Sequence, residues 1–216
     1  MALIEFIDAG FSYPEGIKVF EGLNFALQEG ERIGIIGANG SGKTTLFYLI
    51  MGLLKLEGGE LKIFGRARSQ EGDFKEVRRR IGFLFQDPDD QLFSPTVEED
   101  VGFGPFNLGK NIDEVEKIVD KSLRTLGVLH LRKRVTFRLS WGQKKLVALA
   151  GILAMDPEIL ILDEPTAGLD KDIAEKLADY IISCQMPLLA ASHDQDFLNR
   201  ACNKIYCLEQ GHLIPV

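Results

Sequence analysis

The sequence predicts an α/β protein with a mainly parallel sheet, an antiparallel β region at the N-terminus and a helical insertion at about residues 86–150. Three observations carry this. Arg32–Ile36 is a short apolar run, Gly37–Thr44 is rich in glycine, and Thr45–Met51 is apolar again, which reads as strand, glycine loop, helix. Ile159–Leu162 is wholly apolar and ends in Asp163 and Glu164, as suits a strand buried on both faces of a parallel sheet. Between the early strands and that run the pattern is mainly helical.

The elements follow in order. Leu3–Asp8, Leu23–Gln28 and Arg32–Ile36 read as strands, and the helix Thr45–Met51 follows the glycine loop. Gly58-Gly59 marks a turn before a strand at Glu60–Phe64, and Arg78–Phe85 contains another strand. From Gln86 to Asn111 prolines, glycines and acids crowd together, which predicts a long structured loop with one helical turn near Val97–Val101. Asp113–Leu126 has helical spacing at Val115, Ile118, Val119, Leu123 and Leu126. A second helix runs from Ser140 to about Met155. Ile173–Ser183 is helical, Pro187–Ser192 is an apolar strand, and Tyr206–Leu213 is a closing hairpin with Gln210-Gly211 at its turn. We expect a single domain over 1–216.

Composition bounds the function. The chain has 216 residues, 45% hydrophobic and 26% charged, enough for one large domain with a true core. A net charge of −7 gives a nucleic-acid partner no electrostatic support. No apolar run approaches the roughly 18 residues of a membrane span. Met1–Asp8 carries acids where a secretory leader carries bases. Cys184, Cys202 and Cys207 lack metal-ligand spacing and are expected to be reduced thiols.

Gly37-Ala38-Asn39-Gly40-Ser41-Gly42-Lys43-Thr44 fits G-x-x-x-x-G-K-[ST], a phosphate-binding loop. Glycines let the backbone curl so that several N–H groups point at an anion, and the following helix adds its positive dipole end. Lys43 reaches the β- and γ-phosphates and Thr44 offers its hydroxyl to Mg²⁺. Asn39, Gly40, Ser41, Gly42, Lys43, Thr44 and Thr45 are the candidate nucleotide-binding set. Asp163, at the carboxyl edge of the sheet, is the candidate Mg²⁺ ligand, and Glu164 is the candidate base that polarises the attacking water.

Leu139-Ser140-Trp141-Gly142-Gln143, between the loop and Asp163-Glu164, resembles the signature motif of ATP-binding-cassette (ABC) ATPases. The rest of the family's set follows in order. Gln86 matches the glutamine that opens the lid loop, Ala167-Gly168-Leu169-Asp170 the segment that crosses the dimer interface, and His193 the switch histidine. Tyr13 matches the aromatic residue that stacks on adenine. The resemblance covers essentially the whole chain. It implies the ABC ATPase fold, a P-loop NTPase core with an inserted helical subdomain, and Mg²⁺ and ATP as cofactor and substrate. It also implies two chains clamping two nucleotides. Lys43, Gln86, Glu164 and His193 would be catalytic, and Thr44, Gln86 and Asp163 would hold Mg²⁺. Ser140, Gly142 and Gln143 would contact the nucleotide of the other protomer, and Asp170 the facing chain.

Two residues depart from the family's pattern. Trp141 stands where glycine is usual, and Leu146 where a basic residue is usual. A large side chain at 141 either hinders close backbone approach or points away, so ATP-driven pairing is expected to be weaker than usual. The lid loop Gln86–Val101 and its continuation Gly102-Phe103-Gly104-Pro105 resemble the ATPases of energy-coupling factor importers. Asn107-Leu108-Gly109 is similar to the subgroup for cobalt or nickel uptake. The resemblance implies an importer ATPase for those ions or a vitamin, peripheral on the cytoplasmic membrane face. Its partners would be a transmembrane coupling subunit, touched through Phe93, Val97, Val101 and Phe103, and a second ATPase chain, identical or related. Two alternatives are a catalytically weak nucleotide-binding subunit paired with an active ATPase, and a soluble ABC ATPase outside transport.

Overall fold

A computed structural model describes residues 1–216 as ten strands and seven helices. In chain order these are β1 (Ala2–Ser12), β2 (Lys18–Gln28), β3 (Arg32–Ile36), α1 (Lys43–Met51), β4 (Gly58–Ile63) and β5 (Arg66–Ala67). Next come α2 (Glu71–Arg80), β6 (Ile81–Leu84), α3 (Val97–Asn107), α4 (Ile112–Thr125), α5 (Trp141–Ala154) and β7 (Ile159–Asp163). The chain closes with α6 (Lys171–Ser183), β8 (Leu188–Ala191), α7 (Gln195–Ala201), β9 (Lys204–Glu209) and β10 (His212–Pro215).

The strands form two sheets. One is antiparallel in the order β2-β1-β4-β5. The other has the order β10-β9-β3-β8-β7-β6, and every neighbour in it is parallel except the β9–β10 hairpin. This is the mainly parallel sheet with an antiparallel N-terminal region that the sequence predicts. β1 runs past the expected end at Asp8 because Asp8, at φ 48°, shifts the register there. The shift keeps Ile4, Phe6, Ala9 and Phe11 all buried, where strict alternation would have turned two of them outward.

The wholly apolar character of β7 now has its reason. Ile159 and Ile161 pack with Ile33, Ile35, Leu189 and Ala191 into the core shared with α1 and the antiparallel sheet. Leu160 and Leu162 pack with Leu188 and Ala190 into the core shared with α3 to α7. Burial of each isoleucine or leucine among these contributes roughly 1.5–3 kcal/mol.

Three helices differ from the sequence expectation. α3 is a full helix of 11 residues, not one turn near Val97. A capping box between Thr96 and Glu99 starts it. Gly104 lets it close on the α5 end, where a Cβ would lie 2.5 Å from Met155. Close packing thus overrides the low propensity of Gly102, Gly104 and Pro105. α2 lies in a charged stretch with only Phe74 and Val77 buried, and the Asp73 carboxylate accepts from the amides of Ser69 and Gln70 to start it. α7 is started by Asp194, whose side chain accepts from the Phe197 amide. Gly58 and Gly59 belong to β4, because Gly59 brings that strand against the Asp8 carbonyl, 2.2 Å from where a Cβ would sit. The expected hairpin is present, with Gln210 and Gly211 both at positive φ.

Candidate functional site

Because β3, β8, β7 and β6 are parallel neighbours, their carboxyl ends meet on one edge of the sheet. That edge carries the phosphate loop after β3, Ser192 and His193 after β8, Asp163 and Glu164 at the end of β7, and Gln86 after β6. A cleft of about 820 Å³ is lined there by Tyr13, Asn39–Thr45, Gln86, Asp163, Glu164 and His193, among others. The cleft is of a size usual for ligand sites.

The loop side is cross-bonded to its surroundings. The Thr44 hydroxyl donates to Asp163 Oδ2 at 2.6 Å. Lys43 Nζ donates to the carbonyls of Gly37 at 2.8 Å and Ala38 at 3.1 Å, which holds the ammonium at the loop. Asn39 Oδ1 lies 2.9 Å from His193 Nε2, and the Tyr13 hydroxyl 3.0 Å from Thr45 Oγ1. The Tyr13 ring stands edge-on to Phe11, with centroids 5.1 Å apart.

The acidic side is strained and desolvated. Glu164 takes a left-handed φ of 45°, which aims its side chain off the strand axis. Its Oε2 accepts from the His193 amide at 3.2 Å, and its Oε1 lies 3.6 Å from His193 Nε2. Burial pushes the Asp163 carboxyl above the usual range; the Thr44 hydrogen bond pulls it down, the Glu164 charge raises it, and Lys145 and Lys43 lower it. Two buried polar atoms, Glu164 Oε1 and Ser41 Oγ, have no hydrogen-bond partner in the chain. Both residues line the cleft, and a buried carboxylate oxygen left without a partner fits a polar ligand that completes it. The oxygens of Thr44, Gln86 and Asp163 are hard donors that suit Mg²⁺ beside phosphate oxygens.

Ser140, Gly142, Gln143 and Asp170 lie outside this cleft. Ser140 caps α5: its Oγ accepts from the Gln143 amide at 3.3 Å, while Gln143 Oε1 accepts from the Ser140 amide at 3.0 Å. The motif therefore contains a capping box, which leaves the Ser140 hydroxyl proton and the Gln143 side-chain NH2 free to donate elsewhere. Gly142 lets α5 meet α6, where a Cβ would lie 2.6 Å from Ile173 Cδ1. Asp170 caps α6 by accepting from the Ile173 amide at 3.1 Å.

Trp141 lies in the first turn of α5 and needs no positive φ. Its indole packs over Gly168 of the same chain, with Nε1 3.2 Å from where a Gly168 Cβ would sit, and the ring remains 39% exposed. Leu146, the other departure, is buried in the helical core.

Of the four residues expected to form an apolar surface, two do. Phe93 is 67% and Phe103 49% exposed, and their rings meet edge-on at 4.8 Å. Val97 and Val101 are fully buried inside the helical region, so they are core and not surface. The reason is the α3 helix: Val97 and Val101 share its inward face, one turn apart.

Sequence reading missed Thr166, Ser192 and Asp194, which line the cleft; the Thr166 hydroxyl donates to Asp194 at 3.2 Å. It also missed Lys145, which is fully buried and donates from Nζ to the carbonyls of Phe85 at 2.8 Å and Gln86 at 2.6 Å. Burial pulls its pKa down to about 8 against the raising pull of Asp163, Asp87 and Glu164. The available signal was a lysine placed directly before the apolar stretch Leu146–Ala150.

Comparison with known proteins agrees with this geometry. The family model described as ABC transporter matches residues 20–167. The energy-coupling factor transporter ATP-binding protein EcfA of Methanothermobacter thermautotrophicus is 43% identical over 98% of this chain and 70% of its own length. The protein of the same name from Methanocaldococcus jannaschii is 42% identical over 99% of this chain and 78% of its own. Among solved structures, cbiO1 of Clostridium perfringens, part of the ABC transporter complex cbiONQ, aligns with a TM-score of 0.87 at 36% identity over 99% of this chain and 87% of that one. The dimeric bacterial ABC transporter cassette MJ0796 aligns with a TM-score of 0.89 at 26% identity, covering 97% and 96%. The parallel sheet, the phosphate loop with its facing carboxylates and these likenesses agree, and the chain belongs to the ABC transporter ATPases, enzymes whose ATP hydrolysis is coupled to transport.

Proposed function

We propose that this chain is the ATP-hydrolysing subunit of an energy-coupling factor importer for cobalt or nickel ions or a vitamin, at the cytoplasmic face of the membrane. The observation that carries the hydrolytic part is the convergence of the phosphate loop, Asp163, Glu164 and His193 on one cleft, with the buried Glu164 Oε1 left without a partner. The importer class rests on the likeness to EcfA and cbiO1. We read residues 1–216 as one domain with its insertion at about 86–150.

In this reading Asn39–Thr45 surround the phosphates and Tyr13 meets the adenine. Thr44, Asp163 and Gln86 hold Mg²⁺, which when bound neutralises charge on the phosphate oxygens. Lys43 binds the β- and γ-phosphates. Glu164 accepts a proton from the attacking water, its carboxylate held by the His193 amide. His193 donates from Nε2 to the γ-phosphate after exchanging its contact with Asn39. Ser140, Gly142 and Gln143 serve the nucleotide of a second ATPase chain, and Asp170 touches that chain.

The partner surface is the apolar groove between α3, α5 and β6, lined by Phe85, Leu92, Phe93, Phe103 and Met155 among others. Phe93 and Phe103 stand at its rim and suit a helix of a transmembrane subunit. No helix of the chain is long and apolar enough to cross a membrane, so in this reading the membrane contact is made through that subunit. Trp141 supports a refinement: exposed on the face that carries Ser140, it weakens ATP-driven pairing relative to a glycine. The test is ATP turnover of the purified protein and of Glu164→Gln, followed by co-purification with membrane subunits. Equal rates for the two proteins would sink the catalytic assignment. A chain that pairs with no membrane protein would sink the importer.

A further inference from the structure

A fully buried lysine needs a reason, because an unpaired ammonium in a protein interior is strongly unfavourable. Lys145 is wholly inaccessible, and its Nζ is bound by two consecutive carbonyls, those of Phe85 and Gln86. Those residues join the end of β6 to the loop whose Gln86 side chain lines the ATP cleft. The neighbouring Lys144 pairs with Asp89 on the same loop. Gln91 closes the loop from the other side: its Nε2 donates to the Phe83 carbonyl at 3.2 Å, and its Oε1 accepts from the Phe85 amide at 3.3 Å. Both lysines sit in the second turn of α5, the helix that Ser140 caps, about 6 Å (Lys144) and about 7.5 Å (Lys145) along its axis from the cap.

We propose that Lys145 is a positioning residue: its ammonium ties the Gln86 loop to α5, so Gln86 is held at its own ATP cleft by the helix whose first turn serves the partner's nucleotide. The inference rests on the reading of Gln86 as a group that acts at the ATP site. Two hydrogen bonds to adjacent carbonyls fix the loop backbone in two places, and the Lys144–Asp89 pair adds a third. A shift of the loop on nucleotide binding is then transmitted to Ser140 without an intervening flexible link. Such a claim of coupling needs a two-site measurement, and a double-mutant cycle supplies one.

Lys145→Met keeps the length of the side chain and removes the donor. In the otherwise native protein, turnover at saturating Mg-ATP is expected to fall at least tenfold, while affinity for a fluorescent ATP analogue stays within twofold. In a Gln86→Ala background the same substitution is expected to change turnover less than twofold, because the group that Lys145 positions is gone. Lys145→Gln, which retains a donor, recovers part of the loss and carries the same cycle if the methionine variant does not fold. The inference is overturned if turnover in the native background falls less than twofold, or if it falls by the same factor in both backgrounds. The latter is the result of a merely structural lysine. Native turnover in Gln86→Ala alone would instead overturn the underlying reading of Gln86.

Discussion

The two halves of the proposed ATP site are built in opposite ways. The half from Gly37 to Thr44 is tied inward: Thr44 to Asp163, Asn39 to His193, and Lys43 to the carbonyls of Gly37 and Ala38. In the other half, the side chains of Ser140, Gln143 and Asp170 bond only within their own helix starts. Ser140 and Gln143 cap α5, Asp170 caps α6, and Trp141 covers Gly168. The first half is a pocket with its donors already aimed. The second is a pair of helix starts whose spare donors lie outside the chain's own cleft. In the proposed reading, catalysis is concentrated in one half and recruitment of a second chain in the other.

The contrast is broken most sharply at Glu164. Glu164→Gln keeps the shape of the side chain and removes the base, so turnover is expected to fall by roughly 10²–10⁴-fold with ATP binding retained. A steady-state ATPase assay beside a nucleotide titration checks both. If turnover survives, the strained carboxylate is not the base. Lys43→Ala tests the other function of the same half. Loss of a charged hydrogen bond of about 1.5–3 kcal/mol predicts an ATP affinity lower by roughly ten- to hundredfold. Unchanged affinity would mean that the backbone of the loop alone holds the phosphates.

The inward half was also the legible one. Its residues are adjacent in sequence and their types are dictated by phosphate chemistry, so Gly37–Thr44 and the Asp163-Glu164 pair could be read before any fold was known. Apolar runs placed β3, β7 and β8 for a similar reason: strands buried on both faces leave no polar alternation to misread. What was not legible depends on contacts between distant elements. Nothing local says that Gly104 closes on Met155 and so belongs to a helix. Nothing local separates Phe93 and Phe103, which are exposed, from Val97 and Val101, which are core. Nor does anything local say that Lys145 is buried, because the carbonyls that bind it belong to Phe85 and Gln86, some 60 residues away.

That sorting of aromatic surface from aliphatic core yields a smaller prediction. Replacing Phe93 and Phe103 together with Asp removes the apolar rim and puts charge where a partner helix would sit. Anchors of this kind are worth about 2 kcal/mol, so affinity for the transmembrane subunit should fall roughly 30-fold. Turnover of the isolated protein should stay within twofold, because neither ring lines the ATP cleft. Pull-down of the membrane complex against soluble ATPase activity separates the two. A parallel loss in both would mean that the rings support the fold instead.

The smallest effect is expected at Trp141, and it tests the outward half directly. The indole contributes to no hydrogen bond, lies over Gly168 and leaves 39% of its surface exposed beside Ser140. Gly168 tolerates this because it has no side chain and takes φ 72°. Trp141→Gly removes bulk from the face that must approach the second chain, and also removes the cover over Gly168. The first change favours pairing and the second loosens the segment that ends in Asp170. Since close approach of backbone to nucleotide needs space before it needs stiffness, we expect the first to win by about 1 kcal/mol, which is a three- to tenfold gain in ATP-dependent dimerisation. Sedimentation of the Glu164→Gln protein with ATP, with and without Trp141→Gly, reads pairing free of turnover. If glycine improves neither pairing there nor hydrolysis in the native background, the ring is no obstacle, and its contact with Gly168 is then what holds the outward half in shape.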